Sequence, residues 1–105
     1  VTHCFQKHHG LFDEAGNLIP AARAAIDRGV LLDVGHSNND FSLEIAKAAI
    51  AQGILPNTLS TDLNCFNINT VGGLATVMTK FVNLGLTLNQ VVERVTNFPA
   101  AALKK

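Results

Sequence analysis

A chain of 105 residues, 48% of them apolar, has room for one domain or a piece of one, with a modest buried core. Lys+Arg and Asp+Glu both number 8, so there is no basic surplus to hold phosphate backbones or an anionic membrane face, and nucleic acid is not expected as a partner. No apolar stretch approaches the roughly 20 residues that cross a bilayer, and the opening Val1-Thr2-His3-Cys4 has neither the charged nor the apolar region of a signal peptide, so a cytoplasmic protein with no membrane partner is expected.

Val1 to Phe5 reads as a strand, and Gln6 to Leu18 as a loop rich in turn formers. Pro20 suits the first turn of a helix, Ala21 to Ile26 are strong helix formers, and Gly29 is placed to end it. Val30 to Val34 is apolar apart from Asp33, as in a parallel strand buried on both faces, and Gly35 to Asn39 must be a loop. Asp40 or Asn39 is expected to cap a helix in which Phe41, Ile45, Ala48 and Ala49 recur at helical spacing, with Gly53 closing it.

Pro56 and Asn57 make a turn before a third strand, Thr58 to Asp62, and Leu63 to Asn69 is a polar loop. Val71, Leu74, Ala75, Met78 and Val82 form one apolar stripe ending at Gly85, and Met78 and Phe81 read as core packing. Thr87 with Gln90 predicts a capping box ahead of Leu88, Val91, Val92 and Val95. Asn97-Phe98-Pro99 stops that helix and starts a last Ala-rich one. The expected class is therefore α/β: three parallel strands alternating with helices, then C-terminal helices, in a single unit over 1–105 with no internal boundary.

Each strand ends in residues able to bind a metal or move a proton: His3, then Asp33 and His36, then Asp62. Strands that alternate with helices and end this way are what a (β/α) barrel shows, because its chemistry sits on the loops leaving the carboxyl ends of its strands. His3 can hold a divalent ion through a neutral imidazole, or simply bond within the last turn of its strand. Asp62, an acid ending an apolar strand, needs either a cation or donors; backbone amides of Leu63 to Cys65 would also serve. Asp33 sits one residue too early to face the rim and is expected to be a structural carboxylate on neighbouring loop amides. His36 could orient a substrate oxygen, or bond the polar run Ser37 to Asp40. His8 and His9 are given no role, and Cys4 and Cys65 are expected to pack as reduced, buried thiols.

Val1-Thr2-His3-Cys4-Phe5, Arg28-Gly29-Val30-Leu31-Leu32-Asp33-Val34-Gly35-His36, Leu55-Pro56-Asn57-Thr58-Leu59-Ser60-Thr61-Asp62-Leu63 and Val77-Met78-Thr79-Lys80-Phe81 resemble the C-terminal part of a dihydroorotase-like amidohydrolase, in the amidohydrolase/deacetylase branch of that superfamily. Val95-Thr96-Asn97-Phe98-Pro99-Ala100 resembles the segment before the family's small β domain. The resemblance covers nearly the whole chain, in order. It implies the C-terminal portion of a (β/α)8 TIM barrel, strands 6 to 8 and the following helices, with two divalent metals, normally zinc. By motif, His3 corresponds to the sixth-strand histidine ligand and Asp62 to the eighth-strand aspartate, which binds metal and carries a proton between the attacking water and the leaving group. His36 belongs to the seventh-strand loop, near a small-molecule substrate.

The implied first-strand His-x-His pair, fourth-strand carboxylated lysine and fifth-strand histidine have no counterpart here, and two ligands fall short of the three usual for catalytic zinc. The expectation is thus a fragment of a metal-dependent hydrolase of amide or ester bonds in small acylated or cyclic-amide substrates, inactive alone. The other reading is a non-catalytic α/β module that acts through another chain. Exposed sheet edges predict a homo-oligomer or association with the rest of a barrel in either case.

Overall fold

The computed structural model describes residues 1–8 and 10–104; the absence of a role for His9 is an expectation that lies outside them. Three extended segments run side by side. On one side of the middle one, Asp33 N–H donates to the Val1 carbonyl (2.8 Å) and the Asp33 carbonyl accepts from Cys4 N–H (3.2 Å). On the other it pairs through Val34 to Thr58 (3.1 Å), Thr58 to Leu32 (3.1 Å), His36 to Ser60 (2.9 Å) and Ser37 to Thr61 (3.0 Å). The order and parallel direction match the expected strands, but regular strands do not form among the described residues: Asp33 and Thr58 make an isolated parallel bridge.

The reason lies in three turns of the backbone. His3, Gly35 and Ser37 have φ of +55°, +48° and +47°, outside the extended region, and each turns the backbone where a ladder would continue. Between the first two segments one residue is in excess, so that Cys4 rather than His3 returns the bond to Asp33, in the manner of a bulge. A second bridge, antiparallel, joins Phe12 to Leu18 across the turn closed by the Asp13 carboxylate on Asn17 N–H (2.8 Å).

Helices fill the connections. α1 (Pro20–Asp27) starts at Pro20 and lies between the first and second segments; α2 (Leu43–Ala51) lies between the second and third. Both end the same way: the N–H of Val30 reaches the carbonyl of Ala25 and that of Ile54 reaches Ala49, while Gly29 (φ +90°) and Gly53 (φ +76°) make the left-handed turn this closure needs. The cap of α2 corrects the expectation for Asp40 and Asn39. Ser42 takes that place, its Oγ accepting from Ile45 N–H, which leaves Asp40 outside the helix.

The long stripe from Val71 is also corrected. Gly72 and Gly73 divide it into α3 (Ile68–Val71) and α4 (Leu74–Asn83), so the supposed loop Leu63 to Asn69 already turns helical at Ile68. The break resets the phase: α4 buries Val77 and Phe81, whereas Leu74, Ala75 and Val82 face out. α5 (Leu88–Val95) carries the expected Thr87/Gln90 capping box but buries Val91 and Arg94 and exposes Leu88 and Val92. α6 (Asn97–Ala102) follows directly.

Arg94 repays its burial with bonds from Nε to the Pro56 carbonyl (2.7 Å) and Nη1 to the Gln90 carbonyl (2.8 Å), and Leu59 N–H donates to its carbonyl (3.0 Å). This ties α5 to the third segment. The core lies between the segments and helices: Cys4, Phe5, Leu32, Val34, Ala46, Ala49, Leu59, Val77, Phe81 and Val91 are all buried. Phe5 and Phe81, fully covered and 6.2 Å apart at their centroids, each contribute about 2 to 3 kcal/mol by leaving water. Cys4 packs as expected, its thiol pushed up to about 12 by burial and then by the Asp33 carboxylate; Cys65 does not, being exposed. No described helix is long and apolar enough to cross a membrane.

Candidate metal centre

Under the rim, Asp33 joins all three segments. It accepts from Thr2 Oγ1 (2.8 Å), Thr58 Oγ1 (2.6 Å) and Ser60 Oγ (2.8 Å). The carboxylate is structural as expected, but its donors are side-chain hydroxyls of the flanking segments, not loop amides. Sequence spacing shows which face Asp33 takes, not which hydroxyls three separate stretches bring to it.

Above it, His3 and Asp62 meet. One ligand atom each from His3, Asp40 and Asp62 lies within 4.8 Å of the other two. The three side chains thus share one stretch of the rim. His3 Nδ1 lies 2.8 Å from the Gly35 carbonyl. A ring N–H donated to a carbonyl leaves Nε2 with a free lone pair, the tautomer a metal-binding imidazole uses. His3 is half-buried and Asp62 exposed, so one approach stays open to solvent. An imidazole and two carboxylates suit a divalent ion of the first transition row.

The backbone is bent to serve this rim. His3 and Asp62 (φ +52°) both take the left-handed region, at a cost of about 1 to 2 kcal/mol for a residue with a Cβ. Gly35 cannot have one: a Cβ there would collide with Thr2 Oγ1 and lie 2.9 Å from His3 Nδ1. The Asp62 carbonyl accepts from Asn67 Nδ2 (2.8 Å) and Asn64 Nδ2 (3.3 Å), which fixes the turn after the third segment. Those donors reach the backbone; the amides weighed as partners for the Asp62 carboxylate do not hydrogen-bond it.

His36 lies apart from that cluster. Its ring is buried, with Nδ1 2.7 Å from the Ser37 carbonyl and Nε2 2.9 Å from Lys80 Nζ, and it stacks on Phe41 at 4.4 Å. Both ring nitrogens are therefore engaged: Nδ1–H donates and Nε2 accepts from the lysine. Burial, and then the Lys80 ammonium, hold its pKa below the usual histidine value, consistent with a neutral ring. The bond weighed for His36 within Ser37 to Asp40 is present.

His36, Asn38, Phe41, Lys47, Lys80 and Asn83 line a cavity of about 510 Å3 between α2 and α4. A cavity of about 810 Å3, lined in part by His8, Phe12, Glu44 and Ile45, includes none of His3, Asp40 and Asp62. Sequence reasoning missed two residues. Asp40 carried a signal, a carboxylate in the loop leaving the middle segment, which was absorbed by the cap assignment. Lys80 stood only within the resembling stretch Val77 to Phe81, with nothing to link it to His36.

Along 99% of its length the chain is 40% identical to a deacetylase of Agrobacterium fabrum and 39% identical to a deacetylase of Brucella anthropi. A deacetylase of Enterococcus faecalis is 35% identical over 95% of the chain. In structure it matches an adenine deaminase with a TM-score of 0.90 and 34% identity over 95% of the chain, and a dihydroorotase with a TM-score of 0.83 and 37% identity over 99%. The chain spans about a quarter of the length of these relatives, 26% to 28% in each case. No family model matches. These relatives and structural neighbours fall in the amidohydrolase superfamily. Within it, the curated relatives carry the name deacetylase and the structural neighbours are an adenine deaminase and a dihydroorotase.

Proposed function

We propose that this chain is the C-terminal portion, strands 6 to 8 and the following helices, of a (β/α)8 metal-dependent hydrolase that cleaves amide or ester bonds of small acylated or cyclic-amide substrates. The observation that carries the reading is the convergence of His3 and Asp62, which leave different segments, on one rim. The names of its relatives, all hydrolytic enzymes, agree with it. Zinc is the metal proposed, and a cytoplasmic location with neither nucleic acid nor membrane as partner is kept from composition.

A bound divalent ion supplies Lewis acidity and an activated water. His3 offers Nε2 and is held in orientation through Nδ1 and Gly35. The carboxylate of Asp62 receives the proton of the attacking water and returns it to the leaving nitrogen or oxygen, which avoids a charged amide or alkoxide departing. His36, with both nitrogens engaged, acts as a positioning residue: it holds the loop Ser37 to Asp40 against α4 through Lys80.

Every backbone bond that Val1 to Cys4 makes to another extended segment goes to the second one, among the described residues. We propose that the outer edge of the first segment pairs with the remainder of the barrel, or with a second copy of the chain. Replacing Asp62 by Asn in the whole protein is expected to lower turnover by 10²-fold or more, as loss of a general base does, with the circular dichroism spectrum unchanged. Near-normal hydrolysis by that variant removes Asp62 from the mechanism.

A further inference from the structure

Ser60 takes hold of both peptide units that flank Gly35. Its Oγ accepts from Gly35 N–H (3.1 Å), and its carbonyl accepts from His36 N–H (2.9 Å). The second bond bears on His3. In a trans peptide the N–H and the C=O point to opposite sides, so the bond that draws His36 N–H toward Ser60 turns the Gly35 carbonyl the other way. There it meets Nδ1 of His3 at 2.8 Å. The hydroxyl is committed in turn. A serine offers one proton and two lone pairs, and the Asp33 carboxylate takes the proton, with Oγ 2.8 Å from Oδ2 and 3.0 Å from Oδ1. What remains on Oγ is acceptor capacity, and Gly35 N–H uses it.

Gly35 transmits this hold because it is buried and packed directly against the His3 ring, where a Cβ would lie 2.9 Å from Nδ1. We infer that Ser60, its hydroxyl directed by Asp33, is a positioning residue that fixes the tautomer and orientation of the His3 ring through Gly35. A ring whose Nδ1–H is donated to a fixed carbonyl keeps its lone pair on Nε2. Once that carbonyl can swing, nothing selects one ring nitrogen over the other, and the two tautomers mix. Ser60 itself makes no hydrogen bond to His3 or Asp62 among the described residues, so its influence on the ring passes through the second segment. As to metal affinity, the inference rests on the metal-dependent reading proposed above; as to the orientation of the ring, it stands apart from it.

The test reads the His3 tautomer in the metal-free whole protein by proton–nitrogen correlation of the imidazole, at a pH where the ring is neutral, with folding followed by far-ultraviolet circular dichroism. The wild type is expected to show the Nδ1–H tautomer alone, Ser60→Ala a mixture of both, and Ser60→Thr, which keeps the hydroxyl, the wild-type pattern. Thr58→Val removes another hydroxyl from Asp33 (2.6 Å) but no bond of Gly35, and is expected to leave the tautomer unchanged. The inference is overturned by a single Nδ1–H tautomer in folded Ser60→Ala, by a mixture already present in the wild type, or by an equal change in Thr58→Val. Competition for Zn2+ with a chromophoric chelator measures the consequence: Ser60→Ala is expected to weaken binding by about 10- to 100-fold and Thr58→Val by less than twofold. If the wild type binds no zinc, or His3→Ala and Asp62→Asn leave binding intact, the metal-dependent reading falls, while the tautomer still decides the role of Ser60. If those two changes abolish binding and Ser60→Ala alters neither tautomer nor affinity, Ser60 alone is wrongly assigned. Should Ser60→Ala fail to fold, Ser60→Cys, whose thiol is a weak acceptor, is expected to give the mixture, and an unmixed Nδ1–H tautomer there overturns the inference.

Discussion

Two regions of the molecule put the backbone into the same left-handed conformation by opposite means. At the ends of α1 and α2 the residues are Gly29 and Gly53, and nothing lies within 4 Å of where a Cβ would be. At the rim, two of the residues are His3 and Asp62, whose side chains meet there. The helix ends need only the turn, so glycine is the least costly solution. The rim needs the turn and a donor atom together, so it accepts strain that glycine would avoid. At His3 and Asp62 the strained turn and a side chain of the cluster coincide.

Gly35 stands between the two cases and gives the largest expected effect. Gly35→Ala adds left-handed strain to a collision with Thr2 and His3, and is expected to lower unfolding free energy by about 3 kcal/mol or more in urea titration while displacing the His3 ring. A loss under about 1 kcal/mol would mean that the packing of Gly35 against the His3 ring matters little.

The contrast is sharpest in a pair of opposite exchanges. Gly29→Ala is expected to cost about 1 kcal/mol with no effect on metal affinity. Asp62→Gly, which gives the rim the residue the helix ends use, is expected to leave stability unchanged or raise it by up to about 1 kcal/mol while ending zinc binding and turnover. If Asp62→Gly destabilised the fold as much as Gly29→Ala does, the distinction would fail.

The smallest effect concerns pH. The folded-state pKa of His36 lies below its unfolded value, so the unfolded chain binds more protons on acidification. Its contribution is complete above the ordinary histidine value near 6.5 and is lost as pH falls below it. Urea midpoints are expected to decline from pH 7 to 5, with a shallower slope in His36→Gln.

The alternation of extended segments and helices was legible because Pro20, Gly29, Gly53 and the Thr87/Gln90 box are local signals that act on their own neighbours. His3 and Asp62 stood out because each ends an apolar run. What escaped was decided by distant contacts. Strand regularity failed at His3, Gly35 and Ser37, whose backbone answers to the rim and not to β propensity. The single stripe after Val71 failed because Gly72-Gly73 resets the helical phase, so that Phe81 rather than Val82 meets Phe5. Asp40 was hidden by Ser42, since either can cap a helix and only the fold shows which one does.

The hydroxyl clasp on Asp33 carries a last consequence. Thr2, Thr58 and Ser60 hold the three segments in register with neutral donors beneath the rim, through hydrogen bonds that involve no ion. If the rim binds an ion as proposed, uptake is docking onto this frame, unlike a zinc finger, where it drives the folding itself. Stripping the protein with chelator and reloading it should leave its far-ultraviolet spectrum still throughout the cycle.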